Sequence, residues 1–127
     1  MIEYLSERNI KLDVSFAAGI SEVVFVACGT SYHASLVGKY IFERITDIPA
    51  RVKYASEINY HDIPLARTLV IGITQSGETA DTLEALRKAK KAGIRTLAIT
   101  NVLGSSVTRI ADHILYTRAG PEISVCN

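Results

Sequence analysis

The sequence predicts an α/β fold: a three-layer sandwich on a five-stranded parallel sheet, in the flavodoxin-like order 2-1-3-4-5. Short apolar runs of strand length recur along it, residues 23–27 and 69–73 being the plainest. Runs that are apolar on both faces belong to parallel sheets covered by helices. Segments of helical period lie between them, and strands alternating with helices form βαβ units joined by right-handed crossovers. At 127 residues the chain is a single domain, 1–127, long enough to bury a core.

Leu5, Ile10 and Leu12 predict an N-terminal helix, with Phe16 and Ala17 loosely continuing its apolar face. Residues 23–28 form the first strand. A helix follows over 31–46, with Leu36, Tyr40 and Ile41 recurring on one face, Val37 and Ile45 close to it, and Pro49 as its stop. Residues 51–55 alternate with period two and make a short second strand. Ser56-Glu57 opens a short helix that ends before Pro64. The third strand covers 68–74. The helix after it, about 78–92, turns Leu83 and Leu86 inward, pairs Glu84 with Lys88, and ends with Gly93 at the C′ position. A fourth strand spans 96–100, and a Gly/Ser loop over 101–106 leads to a short helix. The fifth strand covers 113–117, and Gly120-Pro121 marks a turn in the tail.

Doubly wound sheets bind ligands at the carboxyl ends of strands where the winding reverses, here between strands 1 and 3. Both of those strands run into hydroxyl-rich loops, Cys28-Gly29-Thr30-Ser31 and Thr74-Gln75-Ser76-Gly77-Glu78-Thr79. Helix N-termini offer unpaired amides and the positive end of a dipole, and so attract anions. Thr74, Ser76 and Thr79 add three hydroxyls and Gln75 an amide, more than capping alone requires. Ser76 reads as the N-cap, with Gly77 letting a ligand approach the backbone closely. Glu78 suits the helix dipole and points away from the anion. One phosphate held from two sides, with no lysine in either loop, points to a sugar-phosphate ligand. Gly29 and Gly38 do not make a dinucleotide fingerprint, and there is no Walker A loop. No general base is evident at the crevice, so no catalytic residue is assigned.

The charge balance excludes other partners. Fourteen basic residues against 13 acidic give a net charge of +1 with no basic stripe, which argues against nucleic acid. Apolar runs break within about ten residues, too short for a bilayer. Met1-Ile2-Glu3-Tyr4-Leu5-Ser6-Glu7 is acidic and polar where a signal peptide would be basic and then apolar, so a cytoplasmic location is expected. Cys28 and Cys126 are far apart, and His33, His61 and His113 are scattered singly; no metal site is expected. Cys28, closing a buried strand, reads as a small core filler.

The stretch Thr74-Gln75-Ser76-Gly77-Glu78-Thr79-Ala80-Asp81-Thr82 resembles the signature of sugar isomerase (SIS) domains. Together with Ala27-Cys28-Gly29-Thr30-Ser31-Tyr32, Asn101-Val102-Leu103-Gly104-Ser105-Ser106 and Gly120-Pro121-Glu122-Ile123-Ser124-Val125, it is similar, more narrowly, to the glucosamine-6-phosphate synthases. These are the isomerizing glutamine:fructose-6-phosphate aminotransferases. The matching segments keep the family's order from about residue 20 to residue 125, as in the first of two SIS subdomains. The resemblance implies that Ser31, Gln75, Ser76 and Thr79 contact the phosphate of fructose 6-phosphate or glucosamine 6-phosphate. Gly29 and Thr30 would complete the first loop. Thr74 stands where the family commonly has serine and keeps the hydroxyl, and Val125 would line the sugar pocket, while Glu122 is given a structural role.

The resemblance also implies no metal or organic cofactor, because the family's chemistry rests on a lysine imine and acid–base residues. That lysine, the glutamate base, the ring-opening histidine, the glutaminase domain and the second SIS subdomain have no counterpart in this sequence. The chain is therefore expected to bind without catalysing, and to form a homodimer through apolar surface that would face the second subdomain. After Val125 the family continues Ala-Ser-Thr-Lys, whereas Cys126-Asn127 stands here. That is either ordinary variation at a boundary or an interrupted coding region, since inteins begin with cysteine. Two other functions stay open: a freestanding phosphosugar-sensing module, and a simple phosphosugar isomerase taking a base such as Glu57 or His61 from a neighbouring subunit.

Overall fold

A computed structural model describes residues 17–61 and 67–121. The expected N-terminal helix around Leu5 to Leu12, and Glu122, Val125 and Cys126, lie outside the described residues. The elements run β1 (Glu22–Ala27), α1 (Gly29–Ile45), β2 (Ala50–Tyr54), β3 (Thr68–Thr74), α2 (Ala80–Lys91), β4 (Arg95–Thr100), a 3-10 turn (Ser106–Arg109) and β5 (His113–Tyr116). The sheet order is β2-β1-β3-β4-β5, every pair parallel, as the alternation of apolar runs and helical segments predicts.

Side chains alternate across a strand, and the two core clusters follow that alternation. Val24, Val26, Val70 and Ala98 face α2, packing with Leu83, Leu86 and Ala89. Val23, Phe25, Leu69, Ile71 and Leu97 face the other way, where Phe42 of α1 meets them. The rings of Phe25 and Phe42 lie edge to face, 6.4 Å apart. Gly72 is where α2 comes nearest the sheet: a Cβ there would lie 2.7 Å from Leu86 Cδ1. At the far end of α2 the Gly93 N–H donates to Lys90 O and the Ile94 N–H to Ala89 O, with Gly93 at φ +84°. This is the Schellman closure expected of a C′ glycine.

Four local expectations fail. Helix α2 starts at Ala80 with Thr79 as N-cap, because Gly77 at φ +71° keeps residues 76–78 in a turn. Glu84 pairs with Arg87 at 3.8 Å in place of Lys88, since i,i+3 neighbours share a helix face as i,i+4 neighbours do. No helix opens at Ser56: the Glu57 N–H closes a turn on Tyr54 O. The stretch is anchored by Tyr60, whose buried hydroxyl donates to Ala85 O at 2.9 Å, and burial raises that phenol's pKa. Finally, the apolar stripe of α1 does not meet the core. Leu36, Val37, Tyr40, Ile41 and Ile45 are all exposed, Ile45 to 75%, and the residue α1 buries fully is Ser35, whose hydroxyl donates to Ser31 O.

Candidate functional site

Strands β1 and β3 are neighbours with Ala27 opposite Ile73, so the loops that follow them leave the same edge of the sheet side by side. Helix α1 then crosses one face and α2 the other, which opens a crevice at the reversal point. The Cys28 thiol and the Thr82 hydroxyl meet across it at 3.9 Å.

The first loop is an exposed helix start. Cys28 is the N-cap, in extended conformation with no side-chain cap bond, and the first turn carries no acidic residue. Gly29 takes φ +57°, a left-handed setting that favours glycine. The Tyr32 N–H closes on Cys28 O at 3.3 Å, so the amides of Gly29, Thr30 and Ser31 precede the first internal bond of the helix. Tyr32 stacks on Tyr54 with ring centroids 3.8 Å apart, tying this loop to the end of β2.

The second loop is a pinned turn. Thr74 is 2% exposed; its Oγ1 accepts the Gly77 N–H at 3.2 Å and shares a 2.9 Å bond with Thr79 Oγ1. Ser76 Oγ accepts the Glu78 N–H at 3.1 Å. Gly77 is buried, and a Cβ on it would fall 2.0 Å from Ser105 Oγ. Its missing side chain therefore admits Ser105 from the loop after β4, which corrects the expectation that it admits a ligand. Glu78 precedes α2, and its carboxylate accepts both the N–H and the hydroxyl of Ser106. Those bonds, the hydroxyl's first, hold the carboxyl below its ordinary value of 4.5. It thus caps the 3-10 turn, while the acid in the first turn of α2 is Asp81. The better anion-attracting end belongs to α1.

Gln75 and Ser76 line a cleft of about 490 Å³ with Asn101, Val102, Leu103, Gly120 and Pro121. None of these described lining residues ionises, so the cleft offers hydrogen bonds and apolar contact, not proton transfer. A larger cleft of about 730 Å³ lies against Tyr60, His61, Lys88 and Lys91 and contains none of the loop residues. Of the expected site residues, Gly29, Thr30 and Ser31 follow β1 and Gln75, Ser76 and Thr79 follow β3 at the reversal point, and Gln75 and Ser76 are the ones that line the described cleft. Thr74 sits beneath it, and Val125 lies outside the described residues. Among the described residues no group of three His, Cys, Asp or Glu could hold a metal ion. No described helix is long and apolar enough to cross a membrane. The sequence reading missed Asn101 and Gly120-Pro121 as cleft residues, because their approach comes from hydrogen bonds between loops and leaves no periodic mark.

The SIS domain family profile matches residues 18–127. The chain belongs to the SIS domain family. This SIS domain is 54% identical over 120 residues to the isomerizing glutamine–fructose-6-phosphate aminotransferase of Clostridium tetani, covering 94% of this chain and 20% of that protein. Against the enzyme of the same name from Methanothermobacter thermautotrophicus it is 64% identical over 107 residues, covering 84% and 18%. The SIS domain thus spans about a fifth of the length of these relatives. The C-terminal domain of glucosamine-fructose-6-phosphate aminotransferase from Francisella tularensis superposes with a TM-score of 0.83 at 43% identity, over 93% of this chain and 34% of that one.

Proposed function

We propose that this SIS domain binds the phosphate of fructose 6-phosphate or glucosamine 6-phosphate between its two loops. Gly29, Thr30 and Ser31 would contribute the start of α1, and Gln75, Ser76 and Thr79 the far wall. The buried Thr74 shares a 2.9 Å bond with Thr79 Oγ1 and so ties the start of α2 to the end of β3. The observation that carries the reading is the adjacency of these two loops at the reversal point of the sheet. The high identity to aminotransferases whose names include fructose 6-phosphate supports the choice of sugar.

On this reading the domain is the first of two SIS subdomains in an enzyme that transfers ammonia from glutamine to fructose 6-phosphate and isomerises the product. The described cleft lining offers no acid or base, so the chain is proposed to bind without turning substrate over. We further propose a cytoplasmic homodimer joined through the exposed apolar face of α1. Isothermal titration with fructose 6-phosphate, glucosamine 6-phosphate, inorganic phosphate and plain fructose tests the binding. Heat from the phosphorylated ligands and inorganic phosphate but not from fructose is the expected result. Equal heat from fructose would move the ligand off the loops.

A further inference from the structure

We infer that Asn101 is a positioning residue for the sugar end of the site, clasping the segment after β5 into one wall of the cleft. The inference rests on the phosphosugar reading above. Asn101 directly follows β4, and its backbone N–H donates to Gln75 O at 3.1 Å, which fixes it to the second loop. Its side chain reaches the other way. Oδ1 accepts the Thr117 hydroxyl at 2.9 Å and the Ala119 N–H at 2.7 Å, and Nδ2 donates to Gly120 O. An amide side chain offers two donors and one doubly accepting oxygen, so three of its four bonding positions are spent on this one segment.

The segment needs holding. Residues 117–121 are exposed, so no core packing fixes them. Arg118 takes φ +56° and Gly120 φ +80°. A left-handed setting is unfavourable for a long side chain and persists where neighbours impose it, often at ligand clamps. The two bonds to Oδ1 come from residues 117 and 119, one on each side of Arg118. Gly120 and Pro121 line the same cleft as Gln75 and Ser76, and Asn101 is bonded to both segments. Removing the side chain unties this wall but leaves the backbone link to Gln75 intact. Grip on the sugar and grip on the phosphate should therefore separate.

The test is titration of the full chain and its Asn101→Ala and Thr117→Val variants with inorganic phosphate and with fructose 6-phosphate. Hydrogen exchange at the Ala119 amide is followed in parallel. Fructose 6-phosphate affinity should fall about tenfold in Asn101→Ala, which loses all three side-chain bonds, and about threefold in Thr117→Val, which loses one. Inorganic phosphate affinity should stay unchanged, and Ala119 should exchange faster in Asn101→Ala. If both affinities fall together, Asn101 merely supports the loops and the inference is wrong. If Ala119 loosens while fructose 6-phosphate binds as before, the clasp has no part in recognition. Should Asn101→Ala fail to fold, the isosteric Thr117→Val carries the comparison. A wild-type chain that binds neither ligand would sink the phosphosugar reading itself, and the clasp's role with it.

Discussion

Helices α1 and α2 both carry an apolar stripe, the sharper one on α2, and use them in opposite ways. In α2 the stripe is the core: Leu83, Ala85, Leu86 and Ala89 are buried, and Leu86 fills the space that the missing side chain of Gly72 leaves. In α1 the stripe faces outward, and the helix meets the sheet through Phe42 while burying Ser35. An apolar stripe therefore states that a helix face is to be covered without stating by what. Stability should reside in α2 and association in α1. The two helix starts differ in the same spirit: that of α1 is open and free of acid, that of α2 pinned and preceded by a buried glycine.

The largest test of this contrast is Leu86→Ala. Emptying a fully buried leucine site should cost about 2–5 kcal/mol, read as a lowered midpoint in urea; a loss no larger than that of an exposed α1 residue would erase the distinction. Next comes Gly77→Ala. Left-handed backbone and a collision with Ser105 should together cost about 1–3 kcal/mol and weaken phosphosugar binding, whereas a stable variant with normal affinity would show that the loops can part. Ser31→Ala and Ser76→Ala each remove one proposed donor, worth about 0.5–1.5 kcal/mol of ligand affinity with the fold intact. Unchanged titration of either variant removes that loop from the site.

Smaller effects follow. Ile41→Ser should leave unfolding within about 0.5 kcal/mol while shifting sedimentation from dimer to monomer; a dimer that survives lies elsewhere. The weakest effect concerns Asp112, which ties α2 to the approach of β5 through Lys90 at 3.3 Å. Burial raises its pKa, but hydrogen bonds from Thr96 and Lys90 prevail and hold it below the ordinary 3.8. A depressed carboxyl contributes stability above its unfolded pKa and loses it as pH falls through the folded value. Asp112→Asn should therefore flatten part of the stability decline below about pH 4 and change nothing in its slope between pH 5 and 7.

Most of the fold was legible because buried parallel strands write themselves as apolar runs. The five strands sit within one residue of their expected bounds, and Gly93 ends α2 as its position implies. The adjacency of the two loops proposed to bind was legible because hydroxyls and glycines cluster where two neighbouring apolar runs end. What could not be read is what depends on contact between distant segments. The stripe of α1 gives no direction, and the sequence around Gly77 does not mention Ser105. The bonds of Asn101 reach 16 to 19 residues along the chain, with no repeat to announce them. The turn after β2 replaced a helix because Tyr60 is held by a backbone carbonyl of α2, a partner 25 residues away.

The joint between Gly77 and Ser105 makes the loops after β3 and β4 a single mechanical body. Ser105 occupies the hollow of the glycine, the Val107 N–H is fastened to Gly77 O, and Ser106 is gripped by Glu78. On the proposed reading, an anion that orders Ser76 would also order residues 105–107 through these contacts. The proposed affinity would then depend in part on the order of a turn about thirty residues downstream, joined to the loop by Ser105, Ser106 and Val107.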